Sequence, residues 1–208
     1  MKSESNFAPE VLTFGCRLNT YESEVIRRNA TTAGLKNTVI VNTCAVTAEA
    51  ERQARQAIRR TRRQHPNAHI IVTGCAAQIS PKAFSKMPEV DQILGNMEKL
   101  DPAYFQVSRR ERVRVNDIMS VTEATTQMVG KFDGRTRAFV QIQNGCNHRC
   151  TFCIIPFGRG NSRSVPVADV LTETQQLVAL GYQEIVLTGV DIASYGRDLP
   201  GEPSLGTL

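Results

Sequence analysis

Three short apolar runs, rich in β-branched residues, each lead through small or polar residues to a cysteine. Val11-Leu12-Thr13-Phe14 runs into Gly15-Cys16, Thr38-Val39-Ile40-Val41 into Asn42-Thr43-Cys44, and His69-Ile70-Ile71-Val72 into Thr73-Gly74-Cys75. Runs of this length and composition predict buried strands. A helical stretch follows each one. Residues 21–33 close at Gly34, residues 48–64 take Thr47 as N-cap and end before His65-Pro66, and a shorter helix starts near Ser80-Pro81. A fourth strand is predicted at 90–94, ending at Gly95-Asn96. Strand alternating with helix implies an α/β fold with an open parallel sheet over residues 8–107.

Residues 108–134 break this rhythm. Arg109, Arg110, Arg112 and Arg114 precede a polar Thr/Glu run, which reads as an extended connector. Residues 136–143 then predict a strand leading to Cys146. Residues 167–180 predict a helix begun by Pro166 and stopped by Gly181, and residues 184–188 a further strand ending at Gly189. This second strand-loop-helix-strand pattern predicts another α/β unit over 135–208.

Composition narrows the class. Of 208 residues, 41% are hydrophobic and 22% charged, which excludes a disordered tail or fibrous repeat. No apolar stretch approaches the roughly 20 residues needed to span a bilayer. The first six residues lack an apolar core for a signal peptide, so a cytoplasmic protein with no membrane partner is expected. The net charge of +5 is compatible with an RNA partner, though many basic proteins never touch nucleic acid. The six cysteines are more informative, because a reducing compartment disfavours disulfides and clustered thiols point to metal or catalysis.

Cys146, Cys150 and Cys153 have the spacing C-x3-C-x2-C on a loop just after a strand. Thiolates this close converge on one soft metal centre. Three of them satisfy three irons of a 4Fe–4S cluster and leave the fourth iron for a non-protein ligand. Unliganded thiols and a zinc ion held with His148 are the other readings, although zinc sites usually carry a second C-x2-C pair, which this segment lacks. Cys16, Cys44 and Cys75 lie 28 and 31 residues apart, so no local ligand spacing exists. What they share is a place at the carboxyl end of a predicted parallel strand, where α/β ligand sites form. They read either as small buried hydrophobes or as a second metal site.

The C-x3-C-x2-C segment resembles the radical S-adenosylmethionine (SAM) superfamily. That resemblance implies an open iron that binds the amino and carboxylate groups of SAM. Phe152, before the third cysteine, fits it, and so does Thr188-Gly189-Val190-Asp191 at the end of the second strand, which implies cofactor-binding roles for Phe152, Gly189 and Asp191. The segments around Cys16 (Gly15-Cys16-Arg17-Leu18-Asn19-Thr20), Cys44 (Asn42-Thr43-Cys44-Ala45) and Cys75 (Thr73-Gly74-Cys75-Ala76) resemble the methylthiotransferase N-terminal domain. Residues 145–160 resemble that family's radical SAM signature. The wording is most similar to the branch called MtaB, which acts on threonylcarbamoyladenosine beside the tRNA anticodon. Sister branches act on isopentenyladenosine in tRNA or on a ribosomal protein.

The resemblance implies an N-terminal open-sheet domain at 8–107, a connector at 108–134 and, at 135–208, the start of a radical SAM TIM-like (β/α) barrel. It implies two 4Fe–4S clusters, one on Cys146, Cys150 and Cys153 and one on Cys16, Cys44 and Cys75, with SAM as cosubstrate. The first cluster would reduce SAM to give a radical that activates adenine C2–H, and the second would supply sulfur that another SAM methylates. An electron donor protein and the tRNA anticodon loop are the implied partners, the loop offering bases that splay out without melting a duplex.

One departure stands out. The family has Ser-Arg-Pro where this chain has Ser164-Val165-Pro166, and Arg163 is the candidate to replace the guanidinium. In helix 48–64, Arg52, Arg55, Arg59, Arg62 and Arg63 form a stripe that reads as a tRNA phosphate contact or a solvated face, opposite Ala54, Ala57 and Ile58. His65 and His69 read as structural, and Gly189 as a close backbone approach or a simple turn. The rival functions are a methylthiotransferase with another substrate, and a non-catalytic zinc RNA-binding module using Cys146, His148, Cys150 and Cys153. A full barrel takes roughly 250 residues, far more than follow residue 135. The expectation is therefore an N-terminal fragment, ending at Leu208 inside a barrel and inactive alone.

Overall fold

The computed structural model describes residues 7–106, 111–124, 127, 129–130, 132 and 134–208. The expectations for the first six residues and for Arg109 and Arg110 lie outside them. The N-terminal unit runs β1 (Glu10–Thr13), α1 (Arg17–Thr32), β2 (Thr38–Thr43), α2 (Ala48–Gln64), β3 (His69–Gly74), α3 (Cys75–Ile79), α4 (Pro81–Ser85), β4 (Gln92–Leu94), α5 (Ala103–Gln106) and β5 (Val113–Arg114). All five strands form one parallel sheet in the order β1-β2-β3-β4-β5. Alternate residues bury on opposite faces, as the period-2 geometry of a strand requires. Val39, Val41, Ile70, Val72 and Ile93 pack with Ile58 and Phe84, while Val11, Ile40, Ile71 and Leu94 pack with Ile26, Ala30 and Phe105. Helices therefore cover both faces, which is why these strands read as unbroken apolar runs.

Two differences from the sequence expectation have local causes. Helix α1 starts at Arg17 rather than residue 21, because Cys16 takes the extended N-cap position and Gly15 turns the chain at φ +101°. The buried positions Leu18, Tyr21, Val25, Ile26 and Asn29 then recur at helical spacing. The stretch expected to be a connector contributes a strand, with Val113 and Arg114 pairing to Ile93 and Leu94. Thr47 does cap α2, its hydroxyl accepting from the Ala50 N–H at 3.1 Å.

The second unit contains β6 (Arg137–Gln141), β7 (Gln143–Asn144), α6 (Ile155–Arg159), β8 (Arg163–Ser164), α7 (Val167–Ala179) and β9 (Glu184–Thr188). Strands β6 and β9 pair in parallel from Arg137↔Glu184 to Gln141↔Thr188, and β7 pairs antiparallel with β8. Phe132 stands edge-on to Phe139 and Tyr182, at 5.8 and 6.2 Å between ring centres. Tyr21 and Val25 of α1 belong to the same core as Ala138, Val140, Val170 and Leu177. The first unit thus packs on the second through α1, and also through α3, where Cys75 and Ile79 lie against Gly158 of α6.

Candidate functional site

Because β1, β2 and β3 are in register, with Thr13 opposite Asn42 and Thr43 opposite Gly74, the residues that follow them gather on one sheet edge. Cys16 is the exposed N-cap of α1, Cys44 is buried just past β2, and Cys75 opens α3. Gly15 lies so close to Cys44 that a Cβ there would sit 2.6 Å from the Cys44 Cβ and 2.7 Å from its sulfur. The Val46 N–H points at the Cys44 sulfur (3.5 Å) and the Asn96 amide at that of Cys75 (3.6 Å). Burial pushes the Cys44 thiol up, and the nearby Cys75 and Cys16 thiols push it the same way, while the Val46 N–H and Arg159 oppose them. These three thiols feel one another at the end of the sheet, but the grouping of described residues whose ligand atoms all lie within 4.8 Å of one another does not include them.

Beneath them lies a buried polar layer. Asn19 donates to the carbonyls of Phe14 (2.7 Å) and Thr43 (3.0 Å), which clamps the ends of β1 and β2. Asn42 donates to the Asn19 carbonyl (3.1 Å) and to the Ser23 hydroxyl (3.0 Å). Glu22 accepts from Lys99 Nζ and from Arg159 Nη1, both at 2.7 Å.

Cys146, Cys150 and Cys153 ride a loop pinned at several points. Gly145, at φ +73°, passes so near Asn161 that a Cβ would lie 1.9 Å from its carbonyl oxygen. The Cys146 N–H donates to Gly160 O (3.1 Å) and that of Cys153 to Cys150 O (3.0 Å), while Arg149 braces the Cys146 carbonyl (2.8 Å) and the Asn161 amide (2.7 Å). The Cys146 sulfur lies 3.6 Å from an Asp191 carboxylate oxygen, and His148 Nε2 lies 3.5 Å from the same oxygen. Burial pushes the Cys146 thiol up, as do the Asp191 charge and Cys153. Cys146, His148 and Asp191 bring their ligand atoms within 4.8 Å of one another, a grouping that includes neither Cys150 nor Cys153.

Gln143 ties this loop to the end of β9. Its side-chain Oε1 accepts from the Val190 (3.0 Å) and Asp191 (2.8 Å) N–H groups, and its Nε2 donates to Asn144 O (3.1 Å), Gly145 O (2.6 Å) and the Ser162 hydroxyl (3.0 Å). A Cβ on Gly189 would stand 2.9 Å from Gln143 Oε1 and 3.0 Å from the Gln143 backbone oxygen, so Gly189 sits at a close approach. Phe152 is 91% exposed on the rim. Arg163 is buried and donates to the Arg159 carbonyl (2.8 Å), and Val165 lies in the core. In α2, Arg52 pairs with Glu49, Arg55 with Glu51 and Arg62 with Asp91, so three of the five stripe arginines serve the fold's own carboxylates. His65 stacks near Phe7 and His69 meets Gln92 and Asp91, both structural placements. A concavity of about 1010 Å³ beside α3, α4 and α6 has none of the six cysteines in its lining.

Sequence reading missed Glu22, Lys99, Arg159 and Gln143 as site residues. Asn19 and Glu22 carried a signal, being polar at the same helical spacing as the buried Leu18, Tyr21, Val25 and Ile26. Lys99 and Arg159 gave none, since lysine and arginine rarely bury completely.

Residues 9–95 match the uncharacterized protein family UPF0004, and residues 140–199 match the radical SAM superfamily. The chain is 52% identical over 98% of its length to a threonylcarbamoyladenosine tRNA methylthiotransferase MtaB of Rickettsia prowazekii, covering 48% of that protein. It is 40% identical to the Bacillus subtilis protein of that name, over 90% of this chain and 44% of the relative. It is also 33% identical to a tRNA-2-methylthio-N(6)-dimethylallyladenosine synthase of Carboxydothermus hydrogenoformans, over 95% and 49%. The chain therefore spans about half the length of the curated relatives it matches. In fold it resembles the radical SAM methyltransferase TsrM of Kitasatospora setae, solved with tryptophan and a SAM analogue, at a TM-score of 0.58 and 14% identity over 89% of this chain and 48% of that one.

Proposed function

We propose, from a chain that belongs to the radical SAM methylthiotransferase family, that the whole protein adds a methylthio group to C2 of threonylcarbamoyladenosine beside a tRNA anticodon. The observation that carries the reading is the pairing of two thiol sets in one chain. Cys16, Cys44 and Cys75 stand at three adjacent strand ends, and Cys146, Cys150 and Cys153 lie on a braced loop. The MtaB name borne by the relatives at 52% and 40% identity favours this substrate over dimethylallyladenosine, whose named synthase stands at 33%.

The donor chemistry fits. Each set offers three thiols and no fourth cysteine, the pattern that leaves one iron of a 4Fe–4S cluster open. When bound, the clusters and SAM supply the one-electron C–H activation and the sulfur that acid–base side chains lack. The chain's own residues hold and orient. Cys146, Cys150 and Cys153 would ligate one cluster and Cys16, Cys44 and Cys75 a second. Phe152, Gly189 and Asp191 would line the SAM site, with Gln143 fixing the distance between the cysteine loop and the backbone at Val190–Asp191 through five hydrogen bonds. Asp191 would accept from the amino group of SAM, a charge-assisted bond available because its carboxylate already faces the loop. The working division is an N-terminal domain at 8–107, a connector at 108–134 that lends β5 to its sheet, and the opening of a barrel from 135. A tRNA anticodon loop, an electron donor protein and the cytoplasm complete the proposal. No described helix is long and apolar enough to cross a membrane.

The full-length protein, reconstituted anaerobically with iron and sulfide, should bind close to two 4Fe–4S clusters, and Cys150→Ala should remove one. Cells lacking the gene should lose methylthio-threonylcarbamoyladenosine from digested tRNA; unchanged levels reject the substrate. The second reading, a zinc protein, draws on the close grouping of Cys146, His148 and Asp191. Purified protein containing zinc but unable to take up iron would establish it in place of the first.

A further inference from the structure

Under the Cys16, Cys44 and Cys75 edge sits a charge imbalance. Glu22 is 1% exposed, Lys99 0% and Arg159 2%. Glu22 accepts from Lys99 Nζ (2.7 Å) and from both terminal nitrogens of Arg159 (2.7 and 3.1 Å). The remaining partners are neutral, since Lys99 donates to Asn42 Oδ1 (3.3 Å), and Arg159 donates to the side-chain oxygens of Asn19 and Asn144. One carboxylate therefore faces two buried cations. Uncompensated charge in a dry interior is costly, so a buried excess cation calls for an anion.

The thiol triad, deprotonated on a metal centre, would supply one. Gly158, next to Arg159, packs against Cys75, where a Cβ would lie 3.1 Å from the cysteine Cβ. Asn19, which takes an Arg159 N–H, also holds the Thr43 carbonyl just before Cys44. Nearby Cys75 and Cys16, together with Glu22, favour the charged form of Arg159 against its burial. Burial pushes the Lys99 ammonium down, as does its neighbour Arg159, so Lys99 too gains from added negative charge. The other arm of Arg159 meets Asn144, whose oxygen accepts the Gly145 N–H ahead of Cys146 (2.9 Å).

We propose that Glu22, Lys99 and Arg159 form a buried, net-positive keystone that is the counter-charge of the thiolate centre at Cys16, Cys44 and Cys75 and sets its reduction potential. This rests on the two-cluster reading above. The three are positioning residues, acting through the field at the centre, because the net charge around a cluster is one determinant of its potential. A purely structural brace would be weakened by the loss of either sign. A counter-charge instead responds with opposite signs.

The test uses the full-length protein with Cys146, Cys150 and Cys153 replaced by alanine, so that only the N-terminal centre loads. It is reconstituted with iron and sulfide and titrated with dithionite, the one-electron reduction being followed by electron paramagnetic resonance. Arg159→Met should move the midpoint to lower potential, and Glu22→Gln to higher. The double variant, which restores a single net positive charge on Lys99, should return close to the parent. Lys99→Met, which keeps the Glu22–Arg159 pair, should shift downward like Arg159→Met. Unmoved midpoints in variants with normal iron content overturn the proposal alone, as do shifts of one sign for both Arg159→Met and Glu22→Gln. If Arg159→Met does not fold, the absence of an upward shift in Glu22→Gln is sufficient to overturn it. A parent that takes up no iron removes the two-cluster reading and this proposal with it.

Discussion

Glu173, on α7, is 2% exposed and faces Tyr21 of α1, with Tyr21 Oη 3.3 Å from its Oε2 and the Val129 N–H 3.3 Å from its Oε1. Burial pushes its carboxyl up from 4.5 to about 7, only partly opposed by the Tyr21 and Val129 hydrogen bonds and by Arg28. The sign follows from the raised value. Below about pH 4.5 the group is neutral in both folded and unfolded chains, and its contribution to stability is complete. As pH rises through 4.5 the unfolded chain ionises first, so the contribution is lost progressively until about pH 7. At about 1.4 kcal/mol per pKa unit, the loss is about 3.5 kcal/mol. Glu173→Gln keeps the shape and a donor without the charge and should remove this dependence. The assay is urea denaturation of wild type and Glu173→Gln at pH 5 and pH 7.5, taking the difference between the two proteins at each pH so that other carboxylates cancel. With a slope of about 2–3 kcal/mol per M, the wild-type midpoint should fall relative to the variant by about 1 M between the two conditions. A difference that does not change with pH, or that grows in favour of wild type at pH 7.5, would refute the reasoning.

Gly74→Ala should lower stability by about 2–4 kcal/mol, because φ is +95° and a Cβ would lie 2.2 Å from Thr43 O and 2.4 Å from Thr43 N, neither of which can yield without breaking the β2–β3 ladder. Gly34→Ala, at φ +70° with nothing within 4 Å, should cost only about 1 kcal/mol, and equal thermal shifts for the two would contradict the steric account. Arg137→Ala removes an exposed pair with Glu184 (2.8 Å) and should change the thermal midpoint by the equivalent of less than about 0.5 kcal/mol, a larger fall counting against the view that screening and side-chain entropy cancel such pairs.

The parallel sheet was legible because its strands are buried on both faces and so appear as continuous β-branched runs such as Thr38-Val39-Ile40-Val41. The six cysteines were legible because strand ends and the C-x3-C-x2-C spacing are features of the chain itself. Strand β5 was not, since Val113 and Arg114 are too few for any periodicity and their pairing with Ile93 and Leu94 is set by the sheet edge waiting for them. Helix α1 was read one turn short because Asn19 looks like a surface residue, and only the partners supplied by Phe14, Thr43 and Arg159 make it an interior one. Arg163 was expected to stand in for a guanidinium at position 165. Its terminal nitrogens donate to the Arg159 and Val121 carbonyls, its buried Nε meets no partner among the described residues, and Val165 fills the core.

The choice of polar rather than apolar contacts between the thiol sets has a mechanical consequence. Apolar packing is non-directional, and a helix can slide on it at modest cost. The chain of bonds from the Thr43 carbonyl through Asn19 and Arg159 to Asn144 and the Gly145 N–H is directional at every link, and each link is buried. Cutting it leaves an unsatisfied donor or acceptor rather than a small void, typically about 1–3 kcal/mol per group and more for the charged ones. Cys44 lies one residue past Thr43 and Cys146 one residue past Gly145, so this chain sets the separation of the two thiol sets with little freedom. Tyr21, Val25 and Leu177 supply the adhesion between the units, while Asn19, Glu22 and Arg159 supply the registration.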